Sequence, residues 1–200
     1  MKTETIAIGD VHGSYSALLQ TIEPLIDSGA EIVFLGDLFD RSPEINGDRK
    51  VCELVYEMYM CPELYGLHSV EVLMGNHENL LIEAYLTDDY ELWEMNGGDP
   101  EFLAWLESET AIFCWLASRP LYLIRGDHLL VHAGVKPDVS IADQSPEDFM
   151  WYRPKSGELH GLPYVIVHGH TIHKNVTEYY DRVCIDTGAF HSGKLSTYTL

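Results

Sequence analysis

Five short clusters constrain this chain more than anything else in it: GDVHG at 9–13, GDLFDRS at 36–42, GNHE at 75–78, VHAG at 131–134 and HGHT at 168–171. Each sets carboxylate, amide or imidazole groups beside a glycine that lets the backbone turn sharply. Four of them directly follow short apolar runs of strand character, Ile6–Ile8, Ile32–Leu35, Val70–Met74 with Glu71 as its one charge, and Leu129–Val131; later, Tyr164–Val167 precedes HGHT. In an α/β sheet the loops beyond the strand carboxyl ends form the ligand crevice, so groups far apart in sequence converge there. Oxygen and imidazole donors from five such loops suit a borderline divalent metal ion. The pattern points to an α/β fold carrying a metal-dependent hydrolase site.

Taken singly, a Gly-Asp after a strand is a turn, and a His at a strand end is a hydrogen-bonded core residue. Asp-x-His, Asp, Asn-His, His and Gly-His-Thr in succession serve no structural need that would order them so.

These clusters resemble, in order and approximate spacing, the signature of the phosphoprotein phosphatase branch of the calcineurin-like metallophosphoesterases. NGG at 96–98, WYR at 151–153 and IDTGA at 185–189 extend the resemblance from residue 5 to the C-terminus. The chain looks most like the small bacterial and bacteriophage lambda-type serine/threonine protein phosphatases. That resemblance implies two mixed β-sheets packed as a sandwich with helices outside. It also implies that Asp10 and His12 hold one divalent ion, that Asp37 bridges to a second, and that Asn76, His132 and His170 complete the ligand set of that second ion. Manganese is the expected metal, with iron or zinc also suited to these ligands. Two such ions share a hydroxide that attacks phosphorus.

The leaving oxygen then needs an acid and the equatorial oxygens need fixed positive charge. His77, beside ligand Asn76 but unable to face the same ion without strain, is expected to be that acid, with Asp40 holding its other ring nitrogen. Arg41 is expected to grip phosphate through its planar fork, and Arg153 matches the second phosphate-binding arginine of the bacterial and phage enzymes. His168 is expected to support the site from behind; His160 and His173 are expected at the surface. Ser42 stands where the family usually has Gly, so this turn either avoids a positive φ there or the serine accepts strain.

The expected reaction is phosphomonoester hydrolysis on a phosphoprotein or small phosphoester. The alternative is symmetrical diadenosine tetraphosphate hydrolysis, and a more remote one is a non-catalytic metal-binding scaffold. The tetraphosphate group commonly has Ala at the place of Asp40 and GNHD in place of GNHE, which favours the phosphatase.

At 200 residues and 46% hydrophobic content, the chain is expected to form one domain over 1–200 and to bury its core without staples. Four cysteines without CxxC spacing favour a reducing compartment. A ligand motif starting at residue 9 leaves no room for a signal peptide, and no run of 18 apolar residues exists, so a cytoplasmic protein without a membrane partner is expected. A net charge of −20 with only 12 Lys and Arg opposes nucleic-acid binding. No regulatory-subunit surface is expected, since the sequence lacks the longer C-terminal region of eukaryotic relatives.

Local patterns predict a helix over 14–27, shortened or kinked at Pro24, and another over 100–117. A hairpin is predicted around Arg125-Gly126-Asp127, a short helix from Ser145 to Trp151, and strands at 182–185 and 194–200. The charged stretch 88–94 is expected to be solvated surface or a lid.

Overall fold

A computed structural model describes residues 3–200. Three βα units open the chain. β1 (Thr5–Ile8), β2 (Glu31–Phe34) and β3 (Ser69–Val72) pair in parallel, separated by α1 (Tyr15–Ile22) and α2 (Gly47–Met60). The 14–27 helix ends early as predicted: Pro24 falls in a single 3-10 turn over Glu23–Leu25 after α1. Then come α3 (Asn76–Thr87), α4 (Glu91–Met95), α5 (Pro100–Ser108) and α6 (Thr110–Ala117).

Two expectations need correcting here. The helix over 100–117 is two helices, broken at Glu109, whose ψ of 60° leaves the helical region. The break re-aims the chain so that Phe102 and Leu106 on one side of it, and Ile112, Trp115 and Leu116 on the other, all reach the core. The stretch 88–94 is not simply solvated surface, because Trp93 of α4 is 1% exposed. Its acidic neighbours hide a buried anchor.

The second half supplies β4 (Tyr122–Arg125), β5 (His128–Val131), α7 (Pro146–Trp151), β6 (Val165–His168), β7 (Thr177–Glu178), β8 (Arg182–Cys184), α8 (Ala189–Ser192) and β9 (Thr197–Thr199). β4 and β5 form the hairpin predicted around Gly126, with Arg125 opposite His128. Ser145 caps α7 by accepting the Asp148 N–H, as a Ser-Pro start should.

β9 returns to pair antiparallel with β1, which gives one sheet in the order β3-β2-β1-β9 and a second in the order β4-β5-β6-β8-β7. Both are mixed. β5, β6 and β8 run parallel to one another in the second sheet. Period-2 alternation divides each strand between layers. Ala7 and Val33 of the first sheet, with Leu35 just beyond β2, meet Leu130, Val167 and Val183 of the second, with Ile185 just beyond β8, while Ile6, Ile8, Ile32 and Phe34 face the helices. Fully burying one such aliphatic side chain contributes about 1.5–3 kcal/mol. The sandwich with outer helices implied by the family signature is what forms, and the carboxyl ends of its parallel strands place five of the sequence clusters at one end of the fold. Among the described residues, no helix is long and apolar enough to cross a membrane.

Candidate metal centre and phosphate pocket

Asp37 is the hub. It follows β2 in a left-handed conformation, φ 51°, and its carboxylate is 2% exposed. Oδ2 lies 3.5 Å from His12 Nε2 and 3.4 Å from His132 Nε2, while Oδ1 accepts the His77 N–H at 3.0 Å. Two groups of three ligand atoms, each within 4.8 Å of one another, share this residue: His12, Asp37 and His77, and Asp37, His132 and His170. One carboxylate between two imidazole groups is the arrangement a bridging ligand requires.

The imidazoles are pre-set by their backbone partners. His12 Nδ1 faces the Phe39 carbonyl at 3.0 Å and His132 Nδ1 faces the Leu35 carbonyl at 2.9 Å. A carbonyl only accepts, so both rings carry their proton on Nδ1 and turn an Nε2 lone pair inward. Burial drives the His12 pKa down to about 4 and lowers that of His170 as well, keeping both rings neutral and ready to donate.

The donor set fits divalent cations, on three observations. His132 Nε2 stands 2.9 Å from Asn76 Oδ1, two acceptors facing each other, and His170 Nδ1 is also 2.9 Å from that oxygen. Asp10 Oδ1 and His170 Nε2 are buried without a partner among the described residues. Burial, followed by Asp186 and Asp37, pushes the Asp10 carboxyl well up, so negative charge is in excess here. Cations between these atoms relieve all three. Asp10 joins the site through its Oδ2, which accepts the His170 N–H at 2.9 Å.

The other residues singled out from sequence converge too. His77 Nδ1 meets Asp40 Oδ2 at 2.7 Å, with both side chains within 1% of full burial. Burial alone would lower the His77 pKa, but Asp37 and then Asp40 outweigh it and hold the pKa above its ordinary value. Asp37 goes the opposite way: burial pushes its carboxyl up, yet the imidazoles of His132, His77, His12 and His170 hold it below the usual carboxylate range.

Arg41 and Arg153 line the same cavity of about 80 Å³ as Asp10, His12, Asp37 and His77. Among the described residues Arg153 makes no pair with an acid; its NH1 donates to the His170 carbonyl at 3.1 Å. Ser42 needs no strain. Positive φ falls instead on Asp40 (67°) and Arg41 (62°), and Ser42 Oγ braces the turn through the Gly13 and Glu44 carbonyls at 3.0 and 2.9 Å.

His168 is buried near the site, with Nδ1 on the Gly169 carbonyl and Nε2 unpartnered. His160 is not at the surface, contrary to expectation: it is 5% exposed and tied to Asp181 through its N–H and Nε2.

Three participants had no role on the sequence reading. Glu78 accepts the N–H groups of Asp37 (2.8 Å), Leu38 (2.8 Å) and Gly75 (3.0 Å), so it shapes the bridging loop. Its place in the first turn of α3, where free N–H groups gather, was the available signal. Asp186 lines the cavity and accepts the Gly188 N–H at 2.8 Å; IDTGA pointed to it. Trp93 gave no local signal.

A sandwich of two mixed sheets whose strand ends gather this donor set around two arginines defines a metal-dependent phosphoester hydrolase. The chain belongs to the calcineurin-like phosphoesterase family, matching it over residues 4–194. It is 26% identical over 219 residues to serine/threonine-protein phosphatase 2 of Escherichia coli K12, covering 96% of this chain and 91% of that one. It is 28% identical over 224 residues to the asymmetrical bis(5'-nucleosyl)-tetraphosphatase PrpE of Geobacillus sp. WCH70, covering 96% and 88%. A cold-active protein-tyrosine phosphatase of a psychrophilic Shewanella shares the fold, with a TM-score of 0.75 at 18% identity over 100% of this chain and 76% of that one.

Proposed function

We propose that this metallophosphoesterase is a phosphomonoesterase acting on phosphoserine and phosphothreonine in proteins. The observation that carries this reading is the His77–Asp40 pair, an imidazole joined at 2.7 Å to a buried carboxylate, opening on a cavity that also holds Arg41 and Arg153. Asp10, His12 and Asp37 would hold one divalent ion, and Asp37, Asn76, His132 and His170 the other. When bound, the pair of ions supplies a water-derived nucleophile near neutral pH and neutralises charge on the phosphoryl group.

The protein residues do the rest. Arg41 and Arg153 bind a terminal phosphate, whose two negative charges suit two guanidinium groups better than the single charge of a bridging phosphate. His77, protonated because Asp40 stabilises its cationic form, donates to the departing oxygen. That donation matters most for a poor leaving group such as a serine alkoxide.

The competing reading, dinucleoside tetraphosphate hydrolysis, is supported by the similarity to the asymmetrical bis(5'-nucleosyl)-tetraphosphatase of Geobacillus. A comparison of kcat/KM for a phosphoserine peptide and for diadenosine tetraphosphate, with Mn2+ near neutral pH, separates the two. The peptide is expected to be the better substrate. Faster cleavage of the dinucleotide would transfer the assignment to the tetraphosphatase.

A further inference from the structure

One short segment grips both the acid and the phosphate clamp. α4 and the Asn96-Gly97-Gly98 turn behind it lie over the Asp40–Arg41 turn. The Trp93 indole N–H reaches both carboxylate oxygens of Asp40, at 3.1 Å for Oδ1 and 3.0 Å for Oδ2. The Arg41 N–H donates to the Gly97 carbonyl at 3.2 Å, and its Nε to the Asn96 carbonyl at 3.1 Å.

Both glycines of Trp-x-x-Asn-Gly-Gly have a steric reason. A Cβ on Gly98 would overlap the Trp93 ring, and one on Gly97 (φ 103°) would stand 2.8 Å from Arg41 Cγ. The turn underneath, with Asp40 and Arg41 both at positive φ, is a conformation that persists only where its surroundings over-determine it.

Packing alone does not explain the indole's aim. Trp105 and Trp115 also bury their N–H groups, and neither has a partner among the described residues. This chain tolerates an idle indole; the Trp93 donor, in contrast, is spent on the carboxylate that holds His77.

We propose that Trp93 is a positioning residue for leaving-group protonation: its N–H pins the Asp40 carboxylate so that Oδ2 meets His77 Nδ1, and thereby fixes where His77 Nε2 delivers its proton. The inference rests on the reading of His77 as the acid. In that step a water oxygen bonds to phosphorus as the P–O bond to the leaving group breaks, the electron pair of the broken bond stays with the leaving oxygen, which takes the Nε2 proton, and the ring recovers a proton from solvent.

The test replaces Trp93 site-specifically with β-(3-benzothienyl)alanine, which keeps the bicyclic shape and puts sulfur in place of N–H; Trp93→Phe serves as a second variant. Turnover is measured on a phosphoserine peptide and on p-nitrophenyl phosphate, and the His77 ring N–H resonance is followed in metal-free protein. Losing one hydrogen bond to a charged group should cost roughly tenfold or more in kcat on the peptide. KM and the aryl phosphate rate should hold, and the His77 resonance should shift and exchange faster. An equal loss on both substrates, or none on either, would make Trp93 a packing residue. If the unsubstituted protein cleaves no phosphoserine, the function reading falls by itself; the His77 resonance then decides the inference, which stands if the benzothienyl form moves it and fails if not.

Discussion

Asp40→Asn removes a charge from the site while keeping its shape. The native carboxylate accepts from His77 Nδ1 at 2.7 Å and from the Trp93 N–H at 3.0 and 3.1 Å. An amide has one accepting oxygen and one donating NH2. If the oxygen turns to Trp93, the NH2 faces His77 Nδ1, which must then give up its proton. If it turns to His77, two buried donors confront each other, at a cost of about 1–3 kcal/mol. In both cases the His77 cation loses its anion. Burial, the largest influence on His77, already disfavours the charged ring, and Asp37 would then oppose it without Asp40. A hydrogen bond to a charged group contributes about 1.5–3 kcal/mol, which at 1.36 kcal/mol per factor of ten is roughly ten- to a hundredfold in the protonated population.

The sign follows from the role. A general acid must be protonated, so the rate falls as pH rises through its pKa. Asp40 and Asp37 raise that pKa in the native protein, so removing Asp40 moves the falling limb to lower pH. At neutral pH, kcat on a phosphoserine peptide should drop roughly ten- to a hundredfold. A nitrophenolate leaves without a proton, so p-nitrophenyl phosphate should be far less affected. The assay is a pair of pH profiles of kcat/KM for wild type and variant on both substrates. An unmoved alkaline limb, with both substrates slowed alike, would refute His77 as a proton donor supported by Asp40.

Two further outcomes are expected. Because Asp37 Oδ2 stands 3.5 and 3.4 Å from the His12 and His132 Nε2 atoms, Asp37→Asn should lower bound metal by elemental analysis and leave almost no hydrolysis, whereas Mn2+ should restore chelated wild type; full turnover by verified metal-free protein would end the two-ion mechanism. Burial pushes the Glu31 carboxyl up, but the Arg125 and Thr5 hydrogen bonds prevail and its pKa is depressed overall. Its stabilisation is therefore present above the unfolded value and lost as pH falls through the folded one. The Tm gap between wild type and Arg125→Met should close in acid, and a gap of constant size at every pH would exclude this linkage.

Much of the site was legible because its residues occur in runs that local rules govern. Gly-Asp and Gly-His pairs after apolar runs mark strand ends, and strand ends in an α/β fold share one crevice. The carboxylate that meets His77 was legible as well, since an imidazole near cations needs a carboxylate and Asp40 lay within GDLFDRS. Trp93 was not, because the composition of 88–94 is that of a solvated surface; its burial depends on α3 and α4 packing together. His160 misled for a related reason. Nothing around it in sequence shows that Asp181, 21 residues away, will tie down both its backbone and its ring.

The sequence by itself determined the period of each strand, the places where the chain turns, and the identity of the carboxylate, amide, imidazole and guanidinium groups that gather at the strand ends. These follow from side-chain alternation, glycine and donor chemistry, all of which act within a few residues. Only the tertiary structure decided that Asp37 Oδ2 faces two imidazoles from loops that follow strands of different sheets, that Glu78 gathers the amides of Asp37, Leu38 and Gly75, and that Trp93 reaches Asp40 across 53 positions. Those contacts exist because two sheets bury one apolar interface and bring their strand ends together, and the geometry of that packing is a property of the whole chain.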